Sequence, residues 1–192
     1  MDKTIYIYTN GIMTFPAKSE NWNGKAVTWT HLNTKYKAEK IEYWIGPISR
    51  VLGQKKRAAK LLKTLQFYAK DGWQVVLIGH SNGANVILNA LKQFENKESI
   101  KEIHMIAPAA PNNFAKNGLN DISAPITIYI GGKDKLLWLS SGAGRILGYG
   151  AMGRSGAKNN DKPVSIIKKE DFGHSTWFED EHFDETMEMI VK

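Results

Sequence analysis

A serine in a sharp, glycine-rich turn is the clearest chemical feature of the sequence. Gly79, Ser81 and Gly83 form the pattern Gly-x-Ser-x-Gly. The pattern follows the apolar run Val75–Ile78, and when it lies between a strand and a helix it pushes the serine hydroxyl out of the sheet. The spacing therefore predicts a nucleophile at Ser81. The alternative is an ordinary turn in which this serine caps a helix.

A serine hydroxyl attacks a carbonyl at neutral pH only when a base takes its proton, so this interpretation requires a histidine and a carboxylate nearby. Asp134 follows the predicted strand Ile126–Ile130, and His174 follows the predicted strand Val164–Ile167. Either side chain would otherwise be a solvated loop residue. His80 is adjacent to the serine, and we expect its side chain to leave the turn in another direction. Three further acidic residues are alternatives for the carboxylate: Asp161, Glu170 and Asp171.

The secondary structure that must position these residues alternates between strand-like and helix-like stretches. This order is typical of a mostly parallel sheet covered by helices on both faces. We predict one domain over residues 1–192, an α/β/α sandwich with about six strands. The predicted strands are Thr4–Tyr8, Ala26–Thr30, Trp73–Ile78, Glu102–Ala107, Ile126–Ile130 and Val164–Ile167. The predicted helices are Arg50–Ala69, Ala84–Phe94 and Ser175–Val191.

The chain order serine, aspartate, histidine, with each residue after a predicted strand, resembles the α/β-hydrolase superfamily. The resemblance spans nearly the whole chain in the order of its elements and includes the Gly-x-Ser-x-Gly turn. It implies that Ser81 is the nucleophile, that His174 is the general base and that Asp134 stabilises the protonated histidine. The chain resembles a reduced, six-stranded member of the superfamily without a cap domain.

Hydrolysis by such a site also needs donors for the oxyanion that forms on the attacked carbonyl. The backbone N–H of Asn82, at the start of a predicted helix, is the first candidate. In the superfamily the second donor lies in the loop after an earlier strand, so the resemblance implies Gly11 or Ile12. The HGGG-type sequence of lipases and esterases is missing from this loop. A tight turn without a catalytic role is the alternative for Gly11.

The segment from residue 131 to residue 156 contains 8 of the 17 glycines together with several large apolar residues. We predict that residues 135–160 form a lid or an apolar wall over the site. The candidate substrate-binding residues are Leu137, Trp138 and Trp177. The alternative is that these apolar side chains pack into the core, because that is where most such side chains lie.

The composition excludes several classes of protein. Hydrophobic residues make up 42% of the chain and charged residues 23%, which is typical of a globular protein and not of a disordered one. The absence of cysteine excludes disulfides and thiolate metal sites. The sequence has no nucleotide-binding glycine loop and no HExxH motif, so we expect neither a cofactor nor a metal.

The net charge of +7 raises the question of an anionic partner. The basic residues Lys55, Lys56, Arg57, Lys60 and Lys63 are best interpreted as the solvated face of a predicted helix. They accompany no nucleic-acid motif, so we expect no nucleic-acid partner. No apolar run is long enough to span a membrane and no secretory signal is visible, so we expect a cytoplasmic location.

Together these features predict a serine hydrolase that cleaves carboxylic esters through a Ser–His–Asp triad and an acyl-enzyme intermediate. The expected substrate is a small-molecule or lipid ester, and the expected specificity is that of an esterase or a lipase. The same groups would serve a thioesterase or an amidase equally well. The alternative from another functional class is a non-catalytic binding protein that retains the turn. The sequence does not indicate an oligomeric state.

Overall fold

The structure is a computed structural model and describes residues 3–11, 21–41, 53–113, 119, 121–135, 137, 152–157 and 164–192. The strands in these residues are β1 (Thr4–Thr9), β2 (Lys37–Ile41), β3 (Gln74–His80), β4 (Ile100–Ile106), β5 (Ile126–Gly131) and β6 (Val164–Lys169). The α-helices are α1 (Trp22–Asn33), α2 (Gln54–Lys70), α3 (Gly83–Leu91), α4 (Met152–Ser155) and α5 (Asp180–Ile190). Two short 3₁₀ helices cover Lys97–Ser99 and Thr176–Phe178.

The six strands form one parallel sheet in the order β2-β1-β3-β4-β5-β6. Helices α2 and α3 pack on one face, where the core includes Leu61, Leu65 and Ile87. Helices α1 and α5 pack on the other face, where the core includes Tyr8 and Met187. The predicted α/β/α architecture is therefore confirmed.

Strand β3 shows why this sheet forms. All its residues except Gln74 are buried, and the run Val75–Ile78 is fully apolar. A central parallel strand needs such a run because helices cover both of its faces. β3 pairs with β1 on one side and with β4 on the other, which places the residues after it in the middle of the carboxyl edge of the sheet.

The predicted strand Ala26–Thr30 is wrong, since these residues lie within helix α1. Ala26 and Thr30 are buried one turn apart, and the Thr30 hydroxyl donates a hydrogen bond to the Ala26 carbonyl at 2.8 Å. The β-branched and aromatic composition favoured a strand, but burial of one helical face outweighs this local preference. The second strand is instead β2, a half-exposed edge strand rich in lysine.

The other predicted elements are present within a few residues of their expected bounds, and the predicted final helix is divided. Its first part is the 3₁₀ helix Thr176–Phe178, and its second part is α5. Most of the predicted lid lies outside the described residues. Within it, α4 is a short helix whose Met152 is buried in the core. No helix in the described ranges is both long and apolar enough to cross a membrane.

Candidate active site

Ser81 lies in the turn that joins β3 to α3, at the carboxyl edge of the sheet. Its φ of 54° is in the left-handed region, which is strained for a residue with a side chain. Two hydrogen bonds hold the strained residue: the Ser81 N–H donates to the Ile106 carbonyl at 3.0 Å, and the Ala109 N–H donates to the Ser81 carbonyl at 3.0 Å. The loop after β4 thus supports the backbone of this turn.

The two glycines of the motif allow α3 to approach the sheet closely. A Cβ atom at Gly79 would lie 2.7 Å from the Ile87 Cδ1 atom and 2.9 Å from the Ala84 nitrogen. A Cβ atom at Gly83 would overlap the Thr9 carbonyl oxygen at the end of β1. Both positions therefore require glycine for steric reasons, as the motif predicts.

Asp134 and His174, which are far apart in sequence, meet where β5 and β6 end. The His174 Nδ1–H donates a hydrogen bond to the Asp134 Oδ2 at 2.7 Å. The Leu137 N–H donates to the other carboxylate oxygen at 3.0 Å. The Asp134 side chain is 3% exposed and that of His174 is 13% exposed. This pairing fixes the hydrogen of the neutral imidazole on Nδ1 and leaves the Nε2 lone pair to accept a proton.

The alternative carboxylates have different surroundings. Glu170 and Asp171 are 73% and 86% exposed at their side chains, and they pair with Lys168 and Lys133. The Lys133 ammonium lowers the pKa of Asp171 through this hydrogen bond. Asp161 lies outside the described residues. Asp134 is therefore the carboxylate that His174 contacts.

The turn after β1 lies directly against the serine. A Cβ atom at Gly11 would be 2.9 Å from the Ser81 Cβ and 3.4 Å from its Oγ. Gly11 is therefore next to the serine, and Ile12 lies outside the described residues. Asn82 is at the amino-terminal end of α3, as expected. Among the described residues, no hydrogen bond joins Ser81 to His174.

The sequence of residues 28–165 matches the family described as alpha/beta hydrolase of unknown function, DUF900. The chain belongs to this α/β-hydrolase family. A search of curated proteins for relatives of this chain found no match. The comparison with solved structures, in contrast, found several proteins with the same fold.

One of these is an α/β-superfamily hydrolase from Xanthomonas campestris, with 19% identity, a TM-score of 0.63 and coverage of 97% of this chain and 95% of that chain. A lipase from Bacillus licheniformis has 12% identity, a TM-score of 0.56 and coverage of 100% and 93%. An esterase from Pyrobaculum calidifontis has 12% identity, a TM-score of 0.63 and coverage of 97% and 74%. At these identities the comparison shows the fold alone.

His80 makes a contact at the candidate site that the sequence did not predict. Its ring leaves the turn toward the loop after β6, where Nε2 lies 3.0 Å from the His174 carbonyl oxygen. The side chain is buried, and burial together with the neighbouring His174 lowers its pKa to about 3. No motif signals this contact, because the position between Gly79 and Ser81 is variable in the pattern.

The candidate substrate-binding residues have different environments. Leu137 is buried beside the Asp134 carboxylate. Trp177 is fully buried, and its ring packs against Tyr129 and Phe172 at centroid distances of 5.5 and 4.8 Å. It belongs to the core and does not form an open wall. Trp138 lies outside the described residues.

Proposed function

We propose that this protein hydrolyses carboxylic esters, with Ser81 as nucleophile, His174 as general base and Asp134 as the stabilising acid. The observation that carries the proposal is the 2.7 Å hydrogen bond between the buried Asp134 carboxylate and the His174 Nδ1. A buried carboxylate in this position holds the imidazole in the tautomer that a general base needs. The strained serine at the same sheet edge supports the assignment of the nucleophile.

In the first half of the proposed reaction, the Ser81 Oγ attacks the ester carbonyl carbon and its proton moves to the His174 Nε2. The Asp134 carboxylate stabilises the resulting imidazolium. The backbone N–H groups of Asn82 and of Gly11 or Ile12 donate to the oxyanion, and the loss of one such donor typically costs about 10²- to 10³-fold in rate. Collapse of the tetrahedral intermediate breaks the ester bond, and His174 gives its proton to the departing alkoxide.

In the second half, the His174 Nε2 takes a proton from water, and the hydroxide attacks the acyl carbon bound to Ser81. The acyl bond to the serine breaks, the acid leaves and the proton returns to the Ser81 oxygen. Esters are favoured over amides because an alkoxide needs less protonation to leave than an amine does. The similarity in fold to proteins described as a lipase and an esterase supports the same choice.

The apolar residues after the acid lead to a specific prediction about the acyl group of the substrate. We propose that the apolar sequence after the acid binds the acyl chain, with Trp138 as the candidate contact, since Leu137 is buried in the core. Rates of hydrolysis of p-nitrophenyl esters should therefore rise from acetate to the medium-length acids. Each fully buried methylene contributes about 0.8 kcal/mol, so three additional methylenes should raise kcat/KM by up to about 60-fold. Release of p-nitrophenol at a fixed pH measures this series.

The same series with the Ser81→Ala variant gives the background rate for each ester. A sharp preference for acetate would contradict the apolar acyl surface while leaving the ester-hydrolase assignment intact. No hydrolysis above background for any ester, in protein that is folded by circular dichroism, would contradict the assignment itself and favour a binding protein.

A further inference from the structure

We propose that His80 is a positioning residue, which holds the backbone of the loop that carries His174 by donating a hydrogen bond from its Nε2–H to the His174 carbonyl oxygen. The proposal rests on the proposed function, because it concerns the geometry of the same general base. It assigns a role to a side chain that performs no step of the reaction described above.

The direction of this hydrogen bond follows from its two atoms. They are 3.0 Å apart, and a carbonyl oxygen has no hydrogen to give. The imidazole must therefore carry a hydrogen on Nε2. Because burial keeps the pKa of His80 at about 3, the ring is neutral at ordinary pH and its Nδ1 has a lone pair. The structure thus fixes one tautomer of His80.

A stacked pair of aromatic rings packs against the His80 ring. The Phe178 ring meets it edge-on at a centroid distance of 5.2 Å, and the Trp22 ring meets it edge-on at 5.8 Å. Phe178 and Trp22 are themselves stacked at 4.1 Å. Because the His80 side chain is buried against this pair, it has little rotational freedom. The His80 Nε2–H consequently has a fixed position from which it can bind the loop that carries His174.

His174 is then held at two points. Its ring is bound at Nδ1 by Asp134, and its own peptide carbonyl is bound by His80. With only the first contact, the loop backbone could shift, which would weaken the hydrogen bond between the ring and the carboxylate and displace Nε2 relative to Ser81. A displacement of about 1 Å at a reacting group costs on the order of 10²-fold in rate, so the second contact matters for proton transfer.

The neutral state of His80 also suits the reaction. Its ring centroid lies 4.9 Å from that of His174, which becomes positively charged when it takes the serine proton. A second positive charge at this distance would oppose that step, whereas Asp134 supports it. The other ring nitrogen of His80 borders the Gly11 turn, 3.5 Å from where a Cβ atom at Gly11 would lie. One ring therefore contacts the loop that carries His174 and lies near the turn beside Ser81.

The test compares variants at position 80 that keep or lose the donor. Glutamine places its amide nitrogen close to the position of the histidine Nε2, so His80→Gln keeps the hydrogen bond. His80→Leu and His80→Met have similar volumes and no donor. We expect the two apolar variants to lower kcat by about 10²-fold with KM within about threefold of the wild type, and His80→Gln to stay within about fivefold. Thermal unfolding of each variant controls for loss of the fold.

A second readout does not depend on activity. The His174 Nδ1–H that is bonded to Asp134 should give a downfield proton resonance in NMR spectra. This resonance should persist in His80→Gln and should broaden or disappear in the apolar variants. Equal kcat values and unchanged resonances in all variants would overturn the proposal, and so would an equal loss in His80→Gln and His80→Leu. A wild-type protein without esterase activity would contradict the proposed function, and the resonance would still decide the role of His80.

Discussion

Replacement of Ser81 by alanine should abolish esterase activity, with a fall in kcat of about 10⁶-fold. The reason is that no other group can form the acyl-enzyme, so only oxyanion stabilisation and substrate binding remain. Alanine keeps the backbone hydrogen bonds from Ser81 to Ile106 and from Ala109 to Ser81. The turn should therefore stay folded. Hydrolysis of a p-nitrophenyl ester by the purified variant measures the effect.

Ser175 provides the matched control for this prediction, because it is an exposed serine next to His174. Ser175→Ala removes a hydroxyl from the same region without touching the proposed nucleophile, and it should retain activity near that of the wild type. If Ser81→Ala kept more than about a tenth of the wild-type kcat, the hydroxyl of Ser81 would not be the nucleophile.

The Asp134→Asn variant should lower kcat by about 10⁴-fold with the fold intact. The asparagine oxygen can still accept the Leu137 N–H, but its NH₂ group then faces the His174 Nδ1. The imidazole must accept that hydrogen bond, which moves its own hydrogen to Nε2. A ring protonated at Nε2 has no lone pair with which to take the proton of Ser81. Steady-state kinetics measure the loss of kcat, and thermal unfolding checks that the variant is still folded.

Asp171→Asn is the control for this variant, because Asp171 is an exposed aspartate on the neighbouring loop and pairs only with Lys133 among the described residues. Its activity should stay within about twofold of the wild type, as is usual for an exposed ion pair. If Asp171→Asn or Glu170→Gln lost activity and Asp134→Asn did not, the acid would have to be reassigned.

The sheet was predictable where the strands are buried on both faces. Val75–Ile78 and Ile126–Ile130 are apolar runs between turn residues, and such runs have few alternatives in an α/β chain. The second strand was not predictable in the same way. β2 lies at the sheet edge and has no apolar alternation, whereas Ala26–Thr30 has strand-like composition but packs as a helix. Whether Ala26–Thr30 forms a strand or a helix is decided by its contacts with residues distant in sequence.

The site was predictable to the extent that its residues follow strands. Parallel strands bring their carboxyl ends to one edge, which is why Asp134 and His174 were both candidates before their 2.7 Å hydrogen bond was known. The choice of Asp134 over Glu170 and Asp171 depends on burial, which sequence spacing does not reveal. The position of His80 depends on a contact between residues 80 and 174 and on packing against rings from other elements.

The most direct test of the central claim, that His174 activates the Ser81 hydroxyl, is covalent labelling with a fluorophosphonate followed by peptide mass spectrometry. The Ser81 oxygen should displace fluoride from phosphorus and form one stable adduct on the peptide that contains Ser81. Labelling should be absent in Ser81→Ala and at least about 10³-fold slower in His174→Ala, while His182→Ala should react like the wild type. An unlabelled Ser81 in folded wild-type protein, or equal labelling in His174→Ala, would contradict the claim.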